Sequence, residues 1–525
     1  MKILVSDPLS EEGIKILKDR GFTVDVKTKL SKEELKKVVA DYDALLVRSG
    51  TKVTAEIIQE CKKMKVIGRA GVGVDNVDVE AATRQGIVVM NTPGGNTIST
   101  AEHTFSMLLS LARSIPQANA SLKSGAWDRK KFLGTELFGK QIGIIGLGRI
   151  GLEVAKRAYA FGMKIIAYDP FLSTKKAQQY DIELVEMDEL LKRADFITVH
   201  TPLSDATKHM LGEKEFNKMK KGVKILNCAR GGIVDEQALY EAIQKGIVSG
   251  CALDVFEQEP PKNSAFIGMD NAIVTPHLGA STEEAQVNVA LEIACQVADV
   301  LEGKGIRNAV NFPCVEGEVC KAIDPYIRLA EKLGRLQAQI ISGHINKVSI
   351  KYGGEVVNYE VAPITLALVK GLLHHILGES VNYVNAPFIA KERGITVSET
   401  KVLETEQFAN LVSVEVETNK EKTFVAGTLF TRNSPRIVII NGFYIDSIPE
   451  GNMIITHNID RTGIVGHIGT ILGNNNINIA AMNFGRIERG GESLIVLNVD
   501  NEVPQKVLEE IKKSKNILDV KLIKL

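Results

Sequence analysis

The chain has no excess of charge of either sign: Lys+Arg and Asp+Glu each number 64 in 525 residues, a formal net charge of zero. That argues against nucleic acid as the main partner, because binding along a phosphate backbone requires a net basic face. The six cysteines (Cys61, Cys228, Cys251, Cys295, Cys314, Cys320) are scattered, with no C-x-x-C pair. A disulfide scaffold and a structural zinc site are both disfavoured, and a reducing compartment is expected. No apolar run approaches the roughly 20 residues of a membrane span. The opening MKILVSDPLSEEGIK lacks the long apolar region of a signal peptide. A soluble cytoplasmic protein with no membrane partner is the expectation. Low-complexity tracts and solenoid repeats are also missing.

What is present is length and rhythm. At about 150 residues per domain the chain should form three or four units. Residues 1–95 alternate short apolar runs (KILVSD, ALLVRSG, KVIGRAG, GIVVMNTP) with helical patterns such as SKEELKKVV. Repeated β-α-β units and a parallel sheet follow. STAEHTFSMLLSLARSI reads as one helix crossing between domains, opened by a Ser/Thr cap and ended before Pro116. From 140 to 282 the β-α rhythm restarts, and the helical stretch 282–304 carries the chain back to the first sheet. The expected division is a discontinuous substrate-binding domain of 1–97 with 285–313, and a Rossmann-like domain of 98–284. A mixed α/β domain of 318–449 and a ferredoxin-like β-α-β-β-α-β domain of 452–525 complete it. In the third unit Asn441-Gly442 between two β runs signals a hairpin.

The strand QIGIIG runs into Gly146-Leu147-Gly148-Arg149-Ile150-Gly151, which opens the helix RIGLEVAKRAYAF. This context turns a weak G-x-G-x-x-G into a dinucleotide-binding loop, with the pyrophosphate at the helix N-terminus. The next strand, KIIAYD, ends at Asp169, where a carboxylate would hold the adenosine ribose and repel a 2′-phosphate, favouring NAD over NADP. Thr201 in VHTPL and Cys228 in LNCARGG fall at later strand ends and join the cofactor-binding set.

Three ionisable residues also occur at successive strand ends: Arg230 in LNCARGG, Glu259 in DVFEQEP and His277 in VTPHLGAS. Singly they read as a capping arginine, a solvated loop acid and a buried histidine. Together, beside a dinucleotide loop, they suit oxidation of a secondary alcohol next to a carboxylate. NAD takes the hydride, His277 the hydroxyl proton and Arg230 the carboxylate, while Glu259 orients the imidazole. His103 follows Glu102, but HTFSM breaks the H-E-x-x-H spacing, and His374 and His375 are adjacent, so no metal is expected.

At GRAGVGVDN, WDRKKF, GLGRIG, NCARGG, ALDVFEQEP and TPHLGAS the chain resembles the D-isomer-specific 2-hydroxyacid dehydrogenases. Over essentially its whole length it is similar to the long-form branch that ends in an ACT domain. The resemblance implies Arg230, Glu259 and His277 as the catalytic set and Asp254 near the nicotinamide amide. It also implies oxidation of 3-phosphoglycerate as the first committed step of L-serine synthesis. Arg48, Arg69, Arg129 and Lys131 would then serve the substrate phosphate, with Asn96 near its carboxylate. In similar enzymes the WDRKKF loop crosses to a partner subunit, burying the tryptophan, here Trp127, so a homo-oligomer, dimer or tetramer, is implied. The ACT resemblance implies L-serine as an effector at Asn458, Asp460 and Asn478, although Thr462 stands where many relatives have proline. Two rivals remain: a glyoxylate or hydroxypyruvate reductase of the same superfamily, and a non-catalytic NAD-sensing protein of the corepressor kind. The latter needs none of the three reacting groups.

Overall fold

The computed structural model describes residues 1–313, 317–403, 407–431 and 433–525. Its architecture is the expected one: two parallel Rossmann-like sheets, a mixed sheet and a ferredoxin-like unit. The first sheet has five parallel strands in the order Thr23–Val26, Lys2–Val5, Ala44–Val47, Val66–Arg69, Val88–Met90. Successive residues of one apolar run serve opposite faces. Ile3 and Val5 pack with Val289, Ile293 and Val297 of the helix Glu283–Leu301, whereas Leu4 packs with Ile57 and Ile67 beyond the other face. Burial on both faces is why these strands read as continuous apolar runs.

The second sheet has seven parallel strands, ordered Ala272–Val274, Val248–Leu253, Val223–Asn227, Phe196–Val199, Gln141–Ile145, Lys164–Tyr168, Glu183–Leu184. The chain starts at Gln141–Ile145, builds outward one way, then returns beside it at Phe196–Val199. A crevice therefore opens at the carboxyl ends of these two strands, where α/β sheets bind ligands. The crossing helix spans Thr97–Arg113 and buries Phe105, Leu108 and Ala112 against Ile142, Ile144 and Leu226. Its N-cap is Asn96 rather than a serine or threonine, and that side chain makes no capping bond. The helix ends as left-handed Ser114 turns the chain, and Pro116 lies in the first turn of the next helix, Ile115–Lys123.

The third unit is a six-stranded mixed sheet. Asn441 and Gly442 both take positive φ (47° and 86°), the geometry of a tight hairpin between Pro435–Ile440 and Phe443–Ser447. The sequence reading assigned no element to much of 320–344, yet a helix runs Gly317–Ile340 with Pro325 inside it. Leu329, Leu333, Leu336 and Ile340 of that helix bury one stripe on the sheet. This unit touches the first domain, with Val384 among its core side chains and Asn382 Nδ2 donating to the Gly86 carbonyl at 2.8 Å. The last sheet is antiparallel, ordered Ile479–Arg486, Glu492–Val499, Asn452–Ile459, Ile517–Lys524. No helix among the described residues is long and apolar enough to cross a membrane.

Candidate active site

The strand Gln141–Ile145 delivers its chain into a turn that only particular backbones can make. Gly146 has φ 91°, and a Cβ on Gly151 would lie 2.1 Å from the Gly146 carbonyl oxygen, so the helix Arg149–Ala160 can start this close to the strand only without a side chain there. Gly148, the N-cap, has nothing within 4 Å of an added Cβ. That open space beside free helix N–H groups is a cradle for a pyrophosphate. Asp169 braces the loop: its carboxylate accepts from the Leu147 N–H at 2.8 Å and the Phe171 N–H at 2.9 Å. Ile150, Thr201, Cys228 and Asp254 line the adjoining cavity of about 420 Å³, where Thr201 Oγ1 is buried with no partner. An orphaned hydroxyl, a bare glycine cradle and a carboxylate at the second strand end together fit a dinucleotide. Burial pushes the Cys228 thiol up to about 12, so it is a packing group rather than a nucleophile. Arg149 reaches instead toward the first domain, 3.7 Å from where a Gly94 Cβ would stand.

A second cavity of about 740 Å³ lies between the two parallel sheets, and Arg48, Arg69, Asn96, Arg230, Glu259 and His277 all line it. His277 Nδ1 is 2.8 Å from Glu259 Oε2, and Glu259 Oε1 accepts from the Phe256 N–H at 3.2 Å. Partial burial raises the Glu259 pKa, but the His277 ring more than offsets this and holds the carboxyl below its ordinary value. The carboxylate thus stays charged, favours the proton on Nδ1 and leaves Nε2 as the ring's acceptor. Arg230 Nε donates to Asp75 Oδ2 at 3.2 Å, and the bare Cα of Gly73 makes room for its guanidinium, which lies 2.0 Å from an added Cβ.

Arg69 is held by little else. Its Nε is buried without a partner, and its pKa is pushed down to about 10, chiefly by burial and then by Arg230 and Arg48 nearby. Three guanidiniums around one cavity, one incompletely bonded, form a site that an anion would relieve. Asn96 Oδ1 is likewise buried and unpartnered at the cavity wall. Lys52, Asp75 and Gln286 line the same space and were not singled out from sequence. Lys52 was findable, standing four residues after Arg48 in VRSGTKV.

Asp254 is 0% exposed. Its Oδ1 accepts from Thr275 Oγ1 at 2.6 Å and the Leu278 N–H at 2.7 Å, and its Oδ2 from the Gly279 N–H at 2.9 Å. Burial opposes ionisation, yet these bonds and His103 hold the carboxyl below its usual value.

Family models match three stretches of the chain: "D-isomer specific 2-hydroxyacid dehydrogenase, NAD binding domain" over residues 105–279, "D-3-phosphoglycerate dehydrogenase intervening domain" over 322–441, and "ACT domain" over 452–516. The D-3-phosphoglycerate dehydrogenase of Methanocaldococcus jannaschii is 49% identical, with 100% of both chains covered. That of Bacillus subtilis is 44% identical over 100% of this chain and 99% of its own. The chain belongs to the D-3-phosphoglycerate dehydrogenase family. Among solved structures, a D-lactate dehydrogenase from Aquifex aeolicus complexed with NAD and lactic acid is 30% identical, with a TM-score of 0.53 over 60% of this chain and all of its own. A glyoxylate reductase from Paecilomyes thermophila is also 30% identical, with a TM-score of 0.55 over 59% of this chain and 98% of its own.

Two groups of expected residues do not gather at a site within one chain. Arg129 and Lys131 do not line the cavity of their own chain. The helix Ile115–Lys123 carries that loop to the other end of the second sheet, where Lys131 Nζ is 3.9 Å from Asp270, ahead of the strand that leads to His277. The effector set does not converge within one chain either. Asn458 is 0% exposed, its Oδ1 accepting from Thr456 and its Nδ2 donating to Ser493 Oγ. Asp460 accepts from Arg486 and the Gly490 N–H beyond that strand's end. Asn478 precedes a strand whose first residue, Ile479, pairs with Val499, opposite Asn452 at the other end of the same sheet. Asn478 bonds Asp500 there.

Proposed function

We propose that the chain catalyses NAD-dependent oxidation of 3-phospho-D-glycerate to 3-phosphohydroxypyruvate, the entry to L-serine synthesis, with Arg230, Glu259 and His277 as its catalytic residues. The observation that carries this is the meeting of the Glu259–His277 pair and a cluster of guanidiniums in one cavity that shares Asn96, Arg230 and His277 with the cavity beside the dinucleotide loop. NAD, when bound, supplies the hydride acceptor. Gly146, Gly148, Gly151 and Asp169 hold it, with Thr201 and Asp254 offering oxygen acceptors beside its nicotinamide end. Arg230 binds the substrate carboxylate by a charge-assisted fork, and Asn96 orients it. His277 Nε2 accepts the C2 hydroxyl proton as C2 loses hydride, and the charge that appears on the ring is matched by Glu259 on Nδ1. Arg48 and Arg69 neutralise the phosphate, assisted by Lys52.

A homo-oligomer completes this reading. Trp127 and Leu133 are 75% and 92% exposed around Arg129 and Lys131, an apolar loop that a second copy would cover while receiving the two cations at its own cavity. L-serine would act at the ACT domain, with Asp460 of one copy and Asn478 of another, because one copy cannot bring them together. The cation cluster disfavours an unphosphorylated hydroxyacid as the main substrate. The test follows NADH formation from 3-phosphoglycerate and NAD. His277→Ala removes most turnover with NAD affinity nearly unchanged, and Asp169→Ala mainly raises the KM for NAD. Equal loss of cofactor binding in both variants would refute the division of roles.

A further inference from the structure

His103, set aside in sequence because it matched no metal spacing, occupies a place of consequence. It stands on the crossing helix Thr97–Arg113, and its Nε2 lies 3.1 Å from Asp254 Oδ1 and 3.2 Å from Thr275 Oγ1. Asp254 is a carboxylate, and the Thr275 hydroxyl already donates to it. Nε2 therefore has only acceptors in front of it and carries the proton.

What Asp254 holds is the backbone around His277. That residue has φ 55°, left-handed for a residue that is not glycine, a conformation that persists only where surroundings impose it. The Asp254 carboxylate grips both flanks, Thr275 before it and Leu278 and Gly279 after it, while the His277 N–H donates to the Asp254 carbonyl at 2.9 Å. The other group set against this carboxylate is His103, from a different element, whose ring nitrogen lies 3.1 Å from Oδ1. Two hydrogen bonds from the loop converge on Oδ1, and the His103 ring, bonded to Thr275 Oγ1 at 3.2 Å with Oδ1 3.1 Å away, is what ties this cluster to a helix rather than to the loop being held. The start of the same helix faces the substrate cavity through Asn96.

We infer that His103 is a positioning residue: through its Nε2–H, bonded to Thr275 Oγ1 and set against Asp254 Oδ1, it fixes the left-handed loop that aims His277 at the substrate, tying the catalytic imidazole to the helix that joins the two domains. This rests on the reading of His277 as the acid/base group. Removing the donor leaves Asp254 held only by the loop, so the loop and carboxylate can shift together. A misplacement of about 1 Å at the reacting centre costs up to about a hundredfold.

The test compares His103→Leu, His103→Asn and His103→Gln with native protein, reading kcat and KM for 3-phosphoglycerate and NAD alongside the melting temperature. His103→Leu lowers kcat about ten- to a hundredfold, with the KM for 3-phosphoglycerate within about twofold of native. His103→Gln, whose amide N–H can reach the place of Nε2, recovers most of the rate. The shorter Asn does not, and it serves in place of Leu if the apolar variant fails to fold. Native kcat in the Leu or Asn variant, or a folded Gln variant no faster than Leu, overturns the proposal. Long-range proton–nitrogen NMR of histidine-labelled protein gives a reading independent of turnover: a His103 Nε2 without its proton overturns it as well. Native protein inert toward 3-phosphoglycerate, with His103 still protonated at Nε2, would instead sink the reaction assignment and leave the tether standing.

Discussion

Glu259→Gln isolates the charge behind the proposed catalytic imidazole while keeping shape. The amide oxygen can still accept from His277 Nδ1, now bonded at 2.8 Å, so the ring stays oriented, while the NH2 takes the place of the oxygen that accepts from the Phe256 N–H. What is lost is the charge opposite an imidazole that becomes positive only as the hydroxyl proton arrives. A hydrogen bond involving a charged group contributes about 1.5–3 kcal/mol and a neutral one about 0.5–1.5, so the difference is roughly 1–1.5 kcal/mol. The Glu259 side chain is 39% exposed, and water screens the pair, which keeps the loss at the lower end of what such contacts reach. Since about 1.4 kcal/mol is tenfold in rate, kcat should fall about five- to tenfold with KM for 3-phosphoglycerate nearly unchanged. NADH formation under saturating NAD reads both constants. If kcat is unchanged, or KM rises while kcat stays native, the carboxylate does not stabilise the transition state and the role given to Glu259 is wrong.

Gly151→Ala would set a methyl 2.1 Å from the Gly146 carbonyl oxygen, and overpacking of this kind costs about 1–3 kcal/mol. A lowered melting temperature and weaker NAD binding by fluorescence titration are both expected, and native values for both would contradict the close-approach argument. Arg20 joins the first helix to Asp299 and Glu302 at the end of the closing helix, bonding Asp299 at 2.8 Å and Glu302 through two nitrogens. This lowers the Glu302 pKa from 4.5 to about 2, with the Arg20 bond as the largest cause. A depressed carboxylate stabilises the fold above its unfolded value and loses that contribution as pH falls through the folded one. Glu302→Gln should therefore melt below native at pH 7, with the gap closing between about pH 4.5 and 2. A gap independent of pH would mean the ion pair adds nothing.

Local order along the chain determined a great deal of this. An apolar run of four or five residues followed by a turn and a helical period is visible in any window. The parallel sheets, the glycine loop with Asp169 at the next strand end, and the Asn441-Gly442 hairpin were all legible without coordinates, because each depends on neighbours in sequence. Arg230, Glu259 and His277 could be nominated for the same reason, since each closes a recognisable strand. Their meeting in one cavity was not local information. It needed residues 18 to 47 positions apart to arrive at one edge of a sheet whose strand order reverses midway. Pro325 hid the helix Gly317–Ile340, because the stripe that stabilises it pays off only against a sheet built from residues further along.

Tertiary structure alone decided the rest. The buried, unpartnered Nε of Arg69 comes from packing between two domains, and the inaccessibility of Asn458 from a hydrogen-bonded neighbour, Ser493, 35 positions away. Antiparallel pairing set Asn478 and Asp460 at opposite ends of one sheet, which no motif spacing records. His103 matched nothing in sequence because its partner, Asp254, lies 151 residues on, and only the packing of a crossing helix over strand ends brings a ring nitrogen within 3.1 Å of that carboxylate.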